Sequence, residues 1–277
     1  MKNRHGWIGV ATAISLALLM SACSDNNENS NLTAPGNNEI TDEETQAVAE
    51  DYGSALAGED EGMLSLWTQM SGDGGPQGAR PEGESRGLDD TLAFTHNGFQ
   101  VVLIRNFFDA DGNWYPSYDP LTSVRMERIL TINGTHTNQS GRRTVTLAHS
   151  DDMMIWGIAP TETVYRLEGD GDRSVESEFS SRFGQNVKTV SAEYHWSVND
   201  LLISHDWMVH PFPLDGTIAV NVTVTRTHVN PGRDFEQTRH AEFIVYFNGT
   251  QYAELVFANG AHFWIDLTNG WCHNERP

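Results

Sequence analysis

Across residues 217–225 the side chains alternate without a break. Ile218, Val220, Val222 and Val224 interleave with Thr217, Ala219, Asn221, Thr223 and Thr225. A period of two belongs to a β-strand, because successive side chains point to opposite faces of the sheet. Such a segment must bury one face and wet the other. The same phase recurs across residues 236–247, where Ala241, Phe243, Val245 and Phe247 share one side. Asn248-Gly249 then matches a two-residue type I′ hairpin turn, whose two central positions both need positive φ. A strand over residues 250–257 follows, then Asn259-Gly260 as a second such turn, a third strand over 261–267, and Asn269-Gly270 to close the run. This succession predicts an up-and-down antiparallel meander.

Upstream, strands are expected at about 91–95, 99–108, 122–132, 143–149, 153–158, 162–168, 174–181 and 188–197. Asn97-Gly98, Asp111-Gly112, Asn133-Gly134 and the run Gly169-Asp170-Gly171-Asp172 read as turns between several of them. Roughly 11 to 13 strands with no strong helix between them point to antiparallel β and away from a βαβ fold. The chain is therefore expected to be mainly β: an antiparallel meander forming a curved sheet, a sandwich or an open barrel, over residues 91–277. No internal repeat of fixed period is present.

Three segments of different character precede this domain. Residues 71–90 are rich in Gly and acid and read as a linker unable to bury a core. Residues 41–70 read as a short helical segment. Thr41 and Glu44 form a capping box, and Asp42 and Glu43 suit the positive end of a helix dipole. Val48, Tyr52 and Leu56 make one thin apolar stripe, and Met63, Trp67 and Met70 line a second short helix. The face of the second helix is expected to pack against the main domain. Residues 24–40 contain six Asn and read as a disordered tether, with a mean reach on the order of 20–25 Å.

The first 22 residues begin with Lys2 and Arg4 and continue as an uncharged apolar stretch to Met20. That stretch has the length of a signal-peptide core and falls short of the roughly 20 apolar residues of a spanning helix. It ends in Met20-Ser21-Ala22-Cys23, which resembles the lipobox of bacterial lipoproteins, with Met20 where Leu is usual. The resemblance covers residues 1–23 only. It implies cleavage after Ala22, lipid attachment at Cys23 and membrane association through that anchor. The next residue is Ser24, and the lack of an Asp there resembles lipoproteins sorted to the outer membrane in enteric-type bacteria. A lipid on Cys23 leaves Cys272 without an intramolecular disulfide partner, and it then reads as a small packed hydrophobe.

The processed chain would carry 15 basic and 38 acidic residues. That balance argues against nucleic acid and anionic lipid surfaces as partners, since both call for basic patches. Residues 25–90 hold 16 acidic and 2 basic side chains, so most of the acidity lies outside the expected core.

Motifs that carry chemistry are sparse. Asp109, Asp111 and Asn113 alternate like the start of a calcium loop, but Gly112 comes too early, Trp114 stands where the glycine belongs, and Pro120 takes the place of the bidentate Glu. An ordinary Asp-Gly turn is the simpler reading. Among the eleven histidines, His205 and His210 with His195 upstream form the densest group around Asp206 and Trp207. They could serve zinc only if a turn brought them together. Asp151 and Asp152 are adjacent and would point apart in a strand. No catalytic set of residues in named roles can be assembled, and neither a metal nor another cofactor is called for. Trp114, Tyr115, Tyr118, Trp196, Trp207, Trp264 and Trp271 offer either core filling or a sugar- or protein-binding patch. The leading expectation is a non-catalytic binding or scaffolding lipoprotein with an envelope ligand or protein as partner. The alternative is an envelope hydrolase, metal-dependent if His195, His205 and His210 converge. The lipobox reading is checked directly: Cys23→Ala should abolish metabolic labelling with radioactive palmitate and leave the chain unprocessed, whereas normal labelling of that variant would overturn it.

Overall fold

The computed structural model describes Ala49 and residues 90–275, apart from 97, 139, 181–186, 207–208 and 231–232. Residues 1–48, with the lipobox and the tether, lie outside the described part. So do 50–89, which hold the rest of the expected helical segment and nearly all of the linker. Ala49 itself is helical and fully buried.

Every described strand joins one antiparallel sheet. In chain order these are β1 (Asp90–His96), β2 (Phe99–Phe108), β3 (Trp114–Tyr115), β4 (Arg125–Thr137), β5 (Arg143–Trp156), β6 (Val164–Ser180), β7 (Val187–Ser204), β8 (Asp215–Asn230), β9 (Arg233–Phe247), β10 (Tyr252–Phe257), β11 (His262–Asp266) and β12 (Cys272–His273). The spatial order repeats the chain order, with the two-residue β3 alone branching off to pair with the end of β2. The sheet is open, with β1 and β12 as its edges. Among the described residues the strands form this one sheet, which does not close into a barrel. The expected meander and strand number are what the chain adopts.

The alternation read from the sequence sets the two faces. Along β5, Val145, Leu147, His149, Asp151, Met153 and Ile155 are buried while Thr146, Ala148, Ser150 and Asp152 are exposed. Register carries this phase across the sheet. One row runs Arg128, Met153, Gly169, Val198, Ile218, Val245, Leu255 and Phe263 from β4 to β11. The buried face is mostly aliphatic and aromatic, and each such side chain stabilises the fold by about 1.5–3 kcal/mol. The opposite face is threonine-rich. Cross-strand hydroxyl pairs Thr135–Thr146, Thr137–Thr144 and Thr225–Thr238 lie at 3.0–3.1 Å.

Several expected turns are instead strand interior. Residues 169–172 lie within the continuous β6, and Asn133-Gly134 lies within β4. The glycines are there for close approach. A Cβ on Gly171 would sit 2.2 Å from the Trp196 ring across the β6–β7 pair, and one on Gly134 would sit 2.3 Å from the Gly98 carbonyl oxygen. The expected break between residues 149 and 153 is also absent, because His149 and Asp151 sit in the buried phase and continue β5. The Asn-Gly pairs near the C-terminus do mark turns, but not of type I′. Strands β9 and β10 are separated by residues 248–251, and only the glycine takes positive φ (Gly249 +74°, Gly260 +86°, Gly270 +76°). In each turn the Asn side-chain oxygen accepts the backbone N–H two residues on: Thr250 at 3.2 Å, Ala261 at 3.0 Å and Trp271 at 2.8 Å.

A glycine inside a strand normally weakens it, so replacing one with Ala should help. Gly171→Ala should do the reverse and lower stability by about 1–3 kcal/mol through overpacking against Trp196. Urea unfolding checks this. In a Trp196→Leu background the same substitution should become neutral or stabilising, and an unchanged penalty there would contradict the packing account.

Candidate functional site

Three polar side chains interrupt the apolar face near its middle. Arg128 on β4 is 1% exposed, and its Nη2 donates to Asp151 Oδ1 on β5 at 2.5 Å. The other carboxylate oxygen of Asp151 accepts from His149 Nε2 at 3.0 Å. The His149 ring stacks on Trp196 of β7 at 5.3 Å. Trp196 is buried over Gly171, and its indole Nε1 has no hydrogen-bond partner among the described residues. Asp151 thus holds two donors on two strands, and removing it would take a carboxylate acceptor from a buried guanidinium.

Around this cluster the buried face is cationic. Arg105 lies directly across from Arg128, and Arg173 directly across from His149. Toward the strand ends at Ser180 and Val187 the same face carries Arg143, Lys188, Arg226 and Arg239, all half-buried. In the rows of β2 to β9, Asp151 is the acid among the described side chains of this face. At the opposite strand ends the face turns apolar, with Leu201, Ile203, Val245 and Phe247. The solvent face has the reverse charge, with Glu127, Asp152, Asp170, Asp172, Glu176 and Glu178 in neighbouring positions. Desolvation by its neighbours on the sheet, reinforced by the charges of Glu127, Asp151 and Asp170, pushes the Asp152 carboxyl above its usual range. An open depression of about 290 Å³ on this side is lined by Thr131, Ser150, Asp172 and Glu193 among others.

The residues singled out in the sequence are dispersed. His195 Nδ1 lies 2.8 Å from Asp172 on the solvent face. The His205 ring stacks on Tyr165 at 3.8 Å, and its burial pushes the imidazole below its ordinary range. His210 is exposed in the connection after β7. Among the described residues no group of three or more His, Cys, Asp or Glu converges as metal ligands would. Trp207 lies outside them. Asp109 forms a turn: its carboxylate accepts from the backbone N–H groups of Asp111 and Asn113 and from the side chains of Asn113 and Tyr115 at 2.8–3.0 Å. The Asn113 side chain leads these in holding the carboxyl below the usual range. Asp151 and Asp152 do point to opposite faces. The aromatics split. Tyr118 packs on Phe107 and donates to the Ile158 carbonyl at 2.9 Å, and Trp196 is core, whereas Trp114 and Tyr115 near one edge and Trp271 near the other are exposed. The sequence reading missed the Arg128–Asp151–His149 cluster. Its signal was polar residues in the apolar phase of a strand.

No protein-family model matches this chain, and neither the curated proteins nor the solved structures compared with it contain a match.

Asp151→Ala should cost up to about 3–5 kcal/mol, because it takes a carboxylate from the buried Arg128 guanidinium. Arg128→Met combined with Asp151→Leu should be close to neutral. Equilibrium unfolding of both variants checks this, and a mild effect of Asp151→Ala alone would show that the pair is not holding the face together.

Proposed function

We propose that this protein is a cell-envelope lipoprotein, held at the membrane by a lipid on Cys23, whose sheet is a non-catalytic binding or scaffolding module. The observation that carries this reading is the division of charge between the faces. Acids predominate on the exposed face while the apolar and most of the cationic side chains lie on the buried one, so the exposed side presents one broad chemistry over many strands. A sheet used as a broad recognition surface favours this arrangement. A hydrolase calls for a compact nucleophile, base and oxyanion site. The acidic solvent face also suits a domain that must stay soluble beside an anionic membrane surface. The lipobox residues Met20-Ser21-Ala22-Cys23 and the following Ser24 support an outer-membrane address, facing the periplasm or the cell surface.

Density-gradient separation of membranes tests the address in an enteric-type host. The full-length chain should fractionate with the outer membrane, and Ser24→Asp should move it to the inner membrane. Recovery of the unaltered chain in the soluble fraction would sink the proposal. Hydrolysis of ester, phosphate or glycoside substrates by the purified chain, abolished by His195→Ala, would establish the hydrolase in its place.

A further inference from the structure

Near one end of the sheet, a single row on the exposed face breaks its acidic character. Trp114 on β3 lies opposite Phe108 on β2, and Phe108 opposite Arg125 on β4. Arg125 lies opposite Trp156 on β5, and Trp156 opposite Arg166 on β6. Direct partners in an antiparallel ladder project from the same side of the sheet. The five side chains therefore form one band: ring, ring, cation, ring, cation. With strands about 4.8 Å apart, the stretch from Trp114 to Trp156 is about 14 Å long. The Arg125 guanidinium lies over the Phe108 ring at 5.0 Å, and that of Arg166 over the Trp156 ring at 4.8 Å. Trp114 is 49% exposed.

The two cations differ. Arg166 is matched by Glu168, and by Asp200 with Oδ1 2.7 Å from its Nε. Arg125 makes no ion pair among the described residues, and its Nε is buried without a hydrogen-bond partner among them. Its Nη2 lies beside the turn at Gly112, where a Cβ would come within 3.5 Å. Two neighbouring acids are engaged elsewhere. Glu127 accepts from Asn106 Nδ2 at 2.7 Å, and the Asp109 carboxylate is filled by its own turn. Asn106 Oδ1 in turn accepts from Trp114 Nε1 at 3.1 Å, so the outermost ring is held in place before any ligand arrives.

Exposed flat rings take the C–H face of a sugar by dispersion and exclusion of water. A guanidinium without a counter-ion takes a carboxylate through two parallel N–H donors. A peptide fits less well. The inner strands use their backbone N–H and C=O groups on one another, so this face offers an extended chain none of the main-chain hydrogen bonds that strand addition supplies. A uniform polyanion also fits less well, because Glu127 and Glu168 in the next row and Asp152 beyond them would repel it. We propose that this band binds an oligosaccharide in which carboxylate-bearing units alternate with neutral ones, with a carboxylate on Arg125 and adjoining sugar rings on Trp114 and Trp156. The proposal rests on the reading of the exposed face as a recognition surface and names its ligand class. It uses neither the lipid anchor nor the membrane address, which fractionation tests separately.

Isothermal titration calorimetry of the full-length chain tests the ligand class with three tetrasaccharides. In one, N-acetylglucosamine alternates with glucuronic acid; in the second, it alternates with N-acetylmuramic acid; the third is the neutral tetramer of N-acetylglucosamine. One or both acidic tetramers should bind saturably, and the neutral one at least about tenfold more weakly. Arg125→Met keeps an apolar stem over Phe108 and should abolish that preference. Trp114→Ala should weaken acidic and neutral tetramers alike, by about tenfold. Because Trp114 is half exposed, the second variant reports on binding even if the first perturbs folding. Absence of saturable binding by both acidic tetramers overturns the proposal, as does equal affinity for the neutral tetramer or a preference unchanged in Arg125→Met. Tighter binding of a glutamate-rich hexapeptide than of either acidic tetramer would assign the band to a protein partner and overturn it equally.

Discussion

Everything in this molecule depends on one face of a single-layer sheet being kept from water. Antiparallel ladders satisfy the backbone of the inner strands without help, but they do nothing for the side chains. The rows from Met153 to Phe263 and from Trp196 to Phe257 would be a large apolar patch if bare. Monomeric soluble proteins rarely tolerate such a patch. Threonine pairs and acids solve the problem on the other side by making that surface compatible with solvent. On the inner side Ala49 is buried in the same apolar cluster, its carbonyl oxygen 2.9 Å from Cys272 Sγ.

The polar cluster at Arg128, Asp151 and His149 is best understood against that constraint. A buried ion pair adds little net stability over apolar residues of the same shape, but it is intolerant of a missing partner. Its placement two strands from Trp196, with Gly171 cleared to admit the ring, fixes how β4 to β7 lie across the face. The half-buried arginines around it make that part of the face cationic, whereas the end near Val245 and Phe247 is apolar.

Much of the fold was legible because alternation is a strong local signal. The limits of β2 were read at Phe99 and Phe108, and the C-terminal strands and their Asn-Gly turns were located. The errors share a cause. Gly134, Gly169 and Gly171 read as turn residues, but each is a strand position where a neighbouring chain or ring leaves no room for a side chain. Residues 150–152 read as an interruption, but Asp151 is a buried polar residue whose partner Arg128 comes from another strand, as does the Trp196 ring stacked on His149. Register is a tertiary property, and so the cluster could not be assembled from spacing in one chain. The dispersal of His195, His205 and His210 has the same origin, since strand phase and loop path put each in a different setting.

The account stands or falls on the inner strands of one continuous sheet holding its buried face. Amide hydrogen exchange of the intact full-length chain measures this directly, strand by strand. The amides of the central strands β5 to β8 should be protected far more strongly than those of the edge strands β1 and β12. Exchange of β5 to β8 at the rate of the edge strands would contradict it.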